Sequence, residues 1–130
     1  MKRSIAIVSA LLALAAASCQ GAATQEGYTD ITPSELNAML ETKDFFFVNT
    51  HIPYEGEIAD TDAFIPYNEL DRYAAEFPSD KDAKIVLYCR SGRMSSIAAE
   101  ALAGLGYSNL FNLDGGMIAW EETGLPLIHK

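Results

Sequence analysis

The sequence predicts an α/β domain, a mostly parallel central sheet with helices on both faces. Three observations carry that reading. Short, dense, largely apolar runs stand at residues 45–48, 85–88 and 109–113, as expected of strands covered on both faces. Segments with helical spacing separate them, the alternation that builds parallel sheets. The chain has 130 residues, enough for one domain and too few for two.

The first 18 residues stand outside that fold. Lys2 and Arg3 give a positive start, residues 5–17 run apolar or small, and Ala16, Ala17 and Ser18 end the stretch in small side chains. That order describes a secretory signal peptide. A helix of its apolar part spans about 20 Å against a hydrocarbon core of about 30 Å, which favours export over a membrane span. Cys19 follows directly. Small residues ending in Cys at a cleavage site resemble the lipobox of bacterial lipoproteins, with Ala16 standing where that motif usually has Leu. The resemblance implies acylation of Cys19 and anchorage at a bacterial envelope membrane facing the periplasm; a plain signal peptide cut nearby is the alternative. Residues 19–28, with Gly21 and Gly27, read as a short polar tether, and the folded domain is expected over 29–130.

Within the domain, Thr32, Pro33 and Glu35 mark a helix start: an N-cap, a proline at the first helical position and a capping-box carboxylate. The first dense strand follows at 45–48. Pro53, Gly56 and several carboxylates make 51–63 a loop, and Phe64 and Ile65 a brief strand ended by Pro66. Leu70, Tyr73, Ala74 and Phe77 have helical spacing over 68–77. After a turn at Pro78 and the strand 85–88, residues 93–105 read as an Ala-rich helix closed by Gly106. Strand 109–113 leads through Gly115 and Gly116 to a short helix, 117–122, ended by Gly124 and Pro126.

Charge narrows the partners. Cleavage after Ser18 leaves seven basic side chains (nine less Lys2 and Arg3) against 18 acidic ones, a formal net charge of −11. So acidic a domain repels nucleic acid and anionic membrane, and an anionic small substrate would need a local positive site. If Cys19 is acylated, Cys89 is the sole free thiol, and a lone Cys in an exported protein is either a reactive group or a small buried hydrophobe.

The segment Cys89, Arg90, Ser91, Gly92, Arg93, Met94, Ser95 decides between those readings. A buried strand delivers Cys89 to its carboxyl end, where ligands bind in open α/β sheets, and a helix begins near Arg93. Only about a few per cent of an ordinary thiol is ionised at neutral pH, and the thiolate is the nucleophile. Amide N–H groups at a turn and helix start, with positive charge nearby, stabilise that anion. Arg90 and Arg93 are two of the three Arg left after cleavage, Arg72 being the other. Gly92 lets the loop curl so that its N–H groups converge on the sulfur.

That loop, Cys89 to Met94, resembles the six-residue active-site loop of the rhodanese-like sulfurtransferases. The segment Asp114-Gly115-Gly116-Met117-Ile118-Ala119-Trp120 resembles the Gly-Gly and Trp segment that follows in the same family. The likeness runs over roughly 29–127 and implies a rhodanese-like three-layer domain. It also implies a two-step activity: Cys89 takes a sulfur from an anionic donor such as thiosulfate, then passes it from a persulfide to a thiol or cyanide. On this resemblance Cys89 is catalytic, backbone N–H groups of Arg90, Ser91, Gly92, Arg93, Met94 and Ser95 hold the persulfide, and the two Arg attract the donor. No cofactor or metal is implied. The sequence departs from the family pattern at Asn49, Thr50 and His51, where Asp-Val-Arg is common, at Glu57, where Gly-His-Ile usually places His, and at Ala59, Asp60 and Thr61, in place of Pro-Gly-Ala.

Other residues carry less. His51 is read as a tuner of Cys89 or a solvated loop residue, Trp120 as core or pocket wall, and His129 as exposed. Glu55, Glu57, Asp60 and Asp62 are read as a solvated loop without metal-ligand spacing. Two alternatives stay open: a binding module that uses the loop without turnover, and a Cys-dependent phosphatase or arsenate reductase. The latter class needs an Arg clamp six residues after its Cys, where this chain has Ser95.

Overall fold

The computed structural model describes residues 24–25 and 27–130; the expected signal peptide and Cys19 lie outside them. Six strands and three helices follow in the order β1 (Thr24–Gln25), β2 (Tyr28–Ile31), α1 (Pro33–Glu41), β3 (Phe46–Asn49), β4 (Ala63–Phe64), β5 (Ile85–Tyr88), α2 (Arg93–Gly104), β6 (Leu110–Leu113) and α3 (Gly116–Glu122). They form one sheet ordered β1-β2-β6-β5-β3-β4, in which only β1 runs antiparallel to its neighbour. This is the α/β architecture the sequence predicts, a mostly parallel sheet with helices on both faces.

Side-chain alternation divides the core into two layers. From β5, Ile85 and Leu87 join Val48 of β3 and Ala98, Ala99 and Leu102 of α2 on one face. Val86 and Tyr88 point the other way, to Phe47, Leu36 of α1 and Met117 and Trp120 of α3. β5 is buried at every position, which is why its run is apolar without alternation. The alanines of α2 let that helix lie close on the sheet. α1 starts as its sequence indicates: Thr32 Oγ1 accepts from the Glu35 N–H at 3.1 Å, and the Glu35 carboxylate accepts from the Thr32 N–H at 2.9 Å.

Three expectations need correction. Residues 68–77 form successive turns and a single 3-10 segment, Ala74–Glu76, in place of an α-helix. Their backbone bonds mostly close three residues back, as in Arg72 N–H to Glu69 and Phe77 N–H to Ala74. The stretch is short, bounded by Pro66 and Pro78, and pinned at Phe77 by an edge contact with Phe46 and a tilted ring contact with Tyr107, so packing decides its path before a helix propagates. The expected tether is partly ordered: Thr24 and Gln25 pair with β2, and Tyr28 is a buried strand residue. Glu57, expected to be solvated, is 5% exposed. The chain end returns over it, pairing Glu57 with Ile128 through the backbone and with Lys130 Nζ at 2.8 Å.

Candidate active site

β5 ends at Tyr88 in the middle of the sheet, flanked by β3 and β6, and Cys89 is the next residue. The loop that follows turns through Gly92, whose φ of +97° only glycine adopts readily, and enters α2 at Arg93. This turn aims the Gly92 N–H at the sulfur, 3.0 Å from Cys89 Sγ. Ser95, in the first turn of α2 and fully buried, places Oγ 3.3 Å from the same sulfur. The thiol is 1% exposed, so water scarcely reaches it, and its polar surroundings come from the loop and helix start. Of the converging N–H groups expected from the sequence, Gly92 is the one bonded to the sulfur among the described residues.

The Gly-Gly segment explains what holds this loop in place. Gly115 and Gly116 both have positive φ, +74° and +57°, and together they swing the start of α3 against the Cys89 loop. Met117 N–H donates to the Cys89 carbonyl at 2.9 Å, and Ile118 N–H to the Arg90 carbonyl at 3.0 Å. A Cβ at Gly116 would collide with those same two carbonyl oxygens, and one at Gly92 would press on the Gly115 nitrogen at 3.3 Å. The two sequence motifs are therefore two halves of one mount. Trp120 serves the core, 4% exposed, with its indole N–H donating to the Pro126 carbonyl at 3.0 Å.

The two arginines behave differently. The Arg90 guanidinium lies 3.3 Å from Glu55 Oε2, the same oxygen that approaches His51 Nε2 at 2.6 Å. The hydrogen bond with His51, and then that with Arg90, holds the Glu55 carboxyl below its ordinary range. Arg93 is exposed and takes part in no ion pair among the described residues. Ser91 is exposed at the loop crest and Met94 half-buried behind it. His51 is buried, 7% exposed, and its Nδ1 has no partner among the described residues. The loop that carries it is shaped by Asn49, which is fully buried, accepts from the His51 N–H at 3.0 Å and donates to the Gly56 carbonyl at 3.1 Å. Beside the Cys89 loop opens a cleft of ≈ 400 Å³, with Glu55, Arg90, Met117, Ile118 and the exposed His129 in its lining. No group of three or more His, Cys, Asp or Glu suited to a metal occurs among the described residues.

The sequence reading missed Asn112 and Asp30. Asn112 is 4% exposed in β6; its Oδ1 lies 2.5 Å from Ser95 Oγ and its Nδ2 donates to Asp30 Oδ1 at 2.9 Å. A polar residue inside an apolar strand run was the available signal, because buried amides need partners.

The comparisons with known proteins agree with this geometry. The family model described as rhodanese-like domain matches residues 32–123. A sulfurtransferase of Allochromatium vinosum is 37% identical over 93 residues, covering 69% of this chain and 84% of that protein. The tRNA uridine(34) hydroxylase of Erwinia tasmaniensis is 32% identical over 108 residues, 75% of this chain but only 31% of that protein. Among solved structures, a rhodanese-related protein from Thermoplasma volcanium superposes with a TM-score of 0.65 at 26% identity, covering 78% of this chain and 98% of that one.

Proposed function

Because the chain belongs to the rhodanese-like domain family, we propose that it transfers a sulfane sulfur through a persulfide on Cys89. The observation that carries this reading is the Gly92 N–H, 3.0 Å from Cys89 Sγ at a glycine turn into a helix. That donor and the start of α2 favour an anionic sulfur in a place where water cannot. In the first step the thiolate attacks the outer sulfur of thiosulfate or a related donor. A new S–S bond forms at Sγ, the donor's S–S bond breaks, and sulfite leaves with the electron pair. In the second step a thiolate or cyanide attacks the outer sulfur and takes it, returning Cys89 as thiolate. The remaining loop N–H groups, from Arg90 to Ser95, are assigned the holding of the outer sulfur and the donor. Arg93 and Arg90 attract the donor's charge, and the cleft lined by Arg90, Met117 and His129 admits the acceptor.

Intact-mass measurement tests this. After thiosulfate treatment the protein gains one sulfur, the gain is absent in Cys89→Ser, and cyanide reverses it. An unchanged mass would instead support a binding module, the reading favoured by a thiol only 1% exposed. A phosphatase role has less support, since Ser95 occupies the place of the Arg clamp and is fully buried.

The location is part of the proposal. Residues 1–18 export the chain and acylated Cys19 anchors it at an envelope membrane, with β1 starting at Thr24 and so holding the domain within about 18 Å of the lipid. Detergent partitioning of the parent and of Cys19→Ser decides the matter; equal solubility of the two excludes the anchor.

A further inference from the structure

Ser95 has one hydroxyl proton and three acceptors within reach. Its Oγ lies 2.5 Å from Asn112 Oδ1, 3.2 Å from the Gly92 carbonyl oxygen and 3.3 Å from Cys89 Sγ. The choice among them is made at the far end of a chain of bonds. Asn112 Nδ2 donates to Asp30 Oδ1 at 2.9 Å, and an ionised carboxylate can only accept. Asp30 therefore holds the amide with its NH₂ outward and its oxygen on Ser95. Two oxygens 2.5 Å apart need a proton between them, and the amide oxygen has none to give. The hydroxyl proton is committed to Asn112, and a lone pair of Ser95 faces the sulfur. A thiol can donate its S–H to that lone pair; a thiolate meets it unfavourably.

We propose that Asp30 and Asn112 are positioning residues that keep the Ser95 proton off Cys89 in the resting protein, so that the hydroxyl is a rotor whose proton rests on Asn112 and can turn to the sulfur, with the Gly92 carbonyl as the third acceptor. Turned to Asn112, it favours the neutral thiol. Turned to the sulfur, it donates to the thiolate or to a persulfide. The importance of this rotor for turnover rests on the persulfide reading above, but its effect on the thiol does not. Other charged groups stand on the elements around the sulfur: Arg90 and Arg93 in the loop and α2, His51 and Glu55 beyond β3, and Asp114 beyond β6. Among the described residues, Asp30 is joined to the sulfur by a continuous path of side-chain hydrogen bonds, and none of these other groups is.

The test is the pH profile of Cys89 alkylation by iodoacetamide, whose midpoint reports thiolate formation without any sulfur donor. Asp30→Ala frees the Asn112 amide to turn, and Asn112→Leu removes it at similar size. In both variants the hydroxyl loses the Asn112 oxygen as its acceptor; a thiolate, being charged, draws it away from the Gly92 carbonyl, and the midpoint falls by about one pH unit. Loss of the Asp30 charge alone could also lower the midpoint, so each substitution is repeated in Ser95→Ala. There the proposal requires no further fall. A midpoint that stays or rises in the single variants overturns it, and so does a fall that persists without Ser95. Mass measurement after thiosulfate treatment of the same proteins is independent. A shifted midpoint with no sulfur gained refutes the transferase reading and leaves the rotor standing; a sulfur gained with no shift does the reverse.

Discussion

Gly116→Ala tests whether α3 is the mount of the Cys89 loop. The glycine sits at φ +57°, where a residue with a Cβ costs about 1–2 kcal/mol. The added methyl also lands on the Cys89 and Arg90 carbonyl oxygens, which are backbone and cannot swing aside. Relief requires the loop and α3 to separate, weakening the Met117 and Ile118 N–H bonds to those carbonyls, each worth about 1 kcal/mol net. The expected total is about 3–4 kcal/mol, a large part of the about 5–15 kcal/mol that holds a typical domain folded. Gly124→Ala is the control: φ there is +85°, yet nothing lies within 4 Å of the added Cβ, so only the conformational cost of about 1–2 kcal/mol remains. Urea denaturation of both variants, compared at constant slope, gives the difference. Equal losses would refute the docking argument, since they would mean that the contact between the two motifs contributes nothing.

Three further outcomes are expected. If the proposed transfer holds, Glu55→Gln releases Arg90 from its carboxylate partner, so KM for thiosulfate falls several-fold at low salt and the gain shrinks at high salt; steady-state kinetics at two ionic strengths check it. Tyr88→Phe leaves the buried Ile58 N–H without the phenol oxygen it reaches at 3.0 Å and costs about 1–3 kcal/mol in urea denaturation. Burial pushes the Tyr88 phenol well above its ordinary value of 10.0, so stability is full below about pH 10 and falls as pH rises further, when only the unfolded state gives up the proton; Tyr88→Phe flattens that alkaline decline. Thr32→Ala removes half of the capping box and lowers stability by about 1 kcal/mol in the same assay.

What could be read from the sequence was what neighbouring residues decide among themselves. Thr32 and Glu35 are three apart and announce α1; the run from Ile85 to Tyr88 announces a strand covered on both faces; the Cys89 loop and the Gly-Gly segment announce a site. What stayed hidden depends on partners far along the chain. Glu57 is buried because Lys130 and Ile128 come back to it. Asn112 belongs to the site because Asp30, 82 residues away, orients it. His51, in a polar loop, is buried because Asn49 and Glu55 draw that loop inward. Residues 68–77 have helical spacing, but Phe77 is held by Phe46 and Tyr107 from other strands and loops, and the spacing is overruled. β2 escaped notice because Thr29 and Asp30 are only half-buried, so the strand lacks an apolar run.

The clamp of α3 upon the Cys89 carbonyl also orders events in the life of the molecule. Translation delivers Cys89 before it delivers Gly116, so each nascent chain passes through an interval in which the Cys89 loop exists without its brace. Contacts between distant segments close late because the intervening chain must first be gathered in. A polypeptide halted short of Gly115 lacks both of the N–H donors that hold the Cys89 loop, and only the finished domain supplies them. Docking of α3 is thus the step that fixes the path of the Cys89 loop.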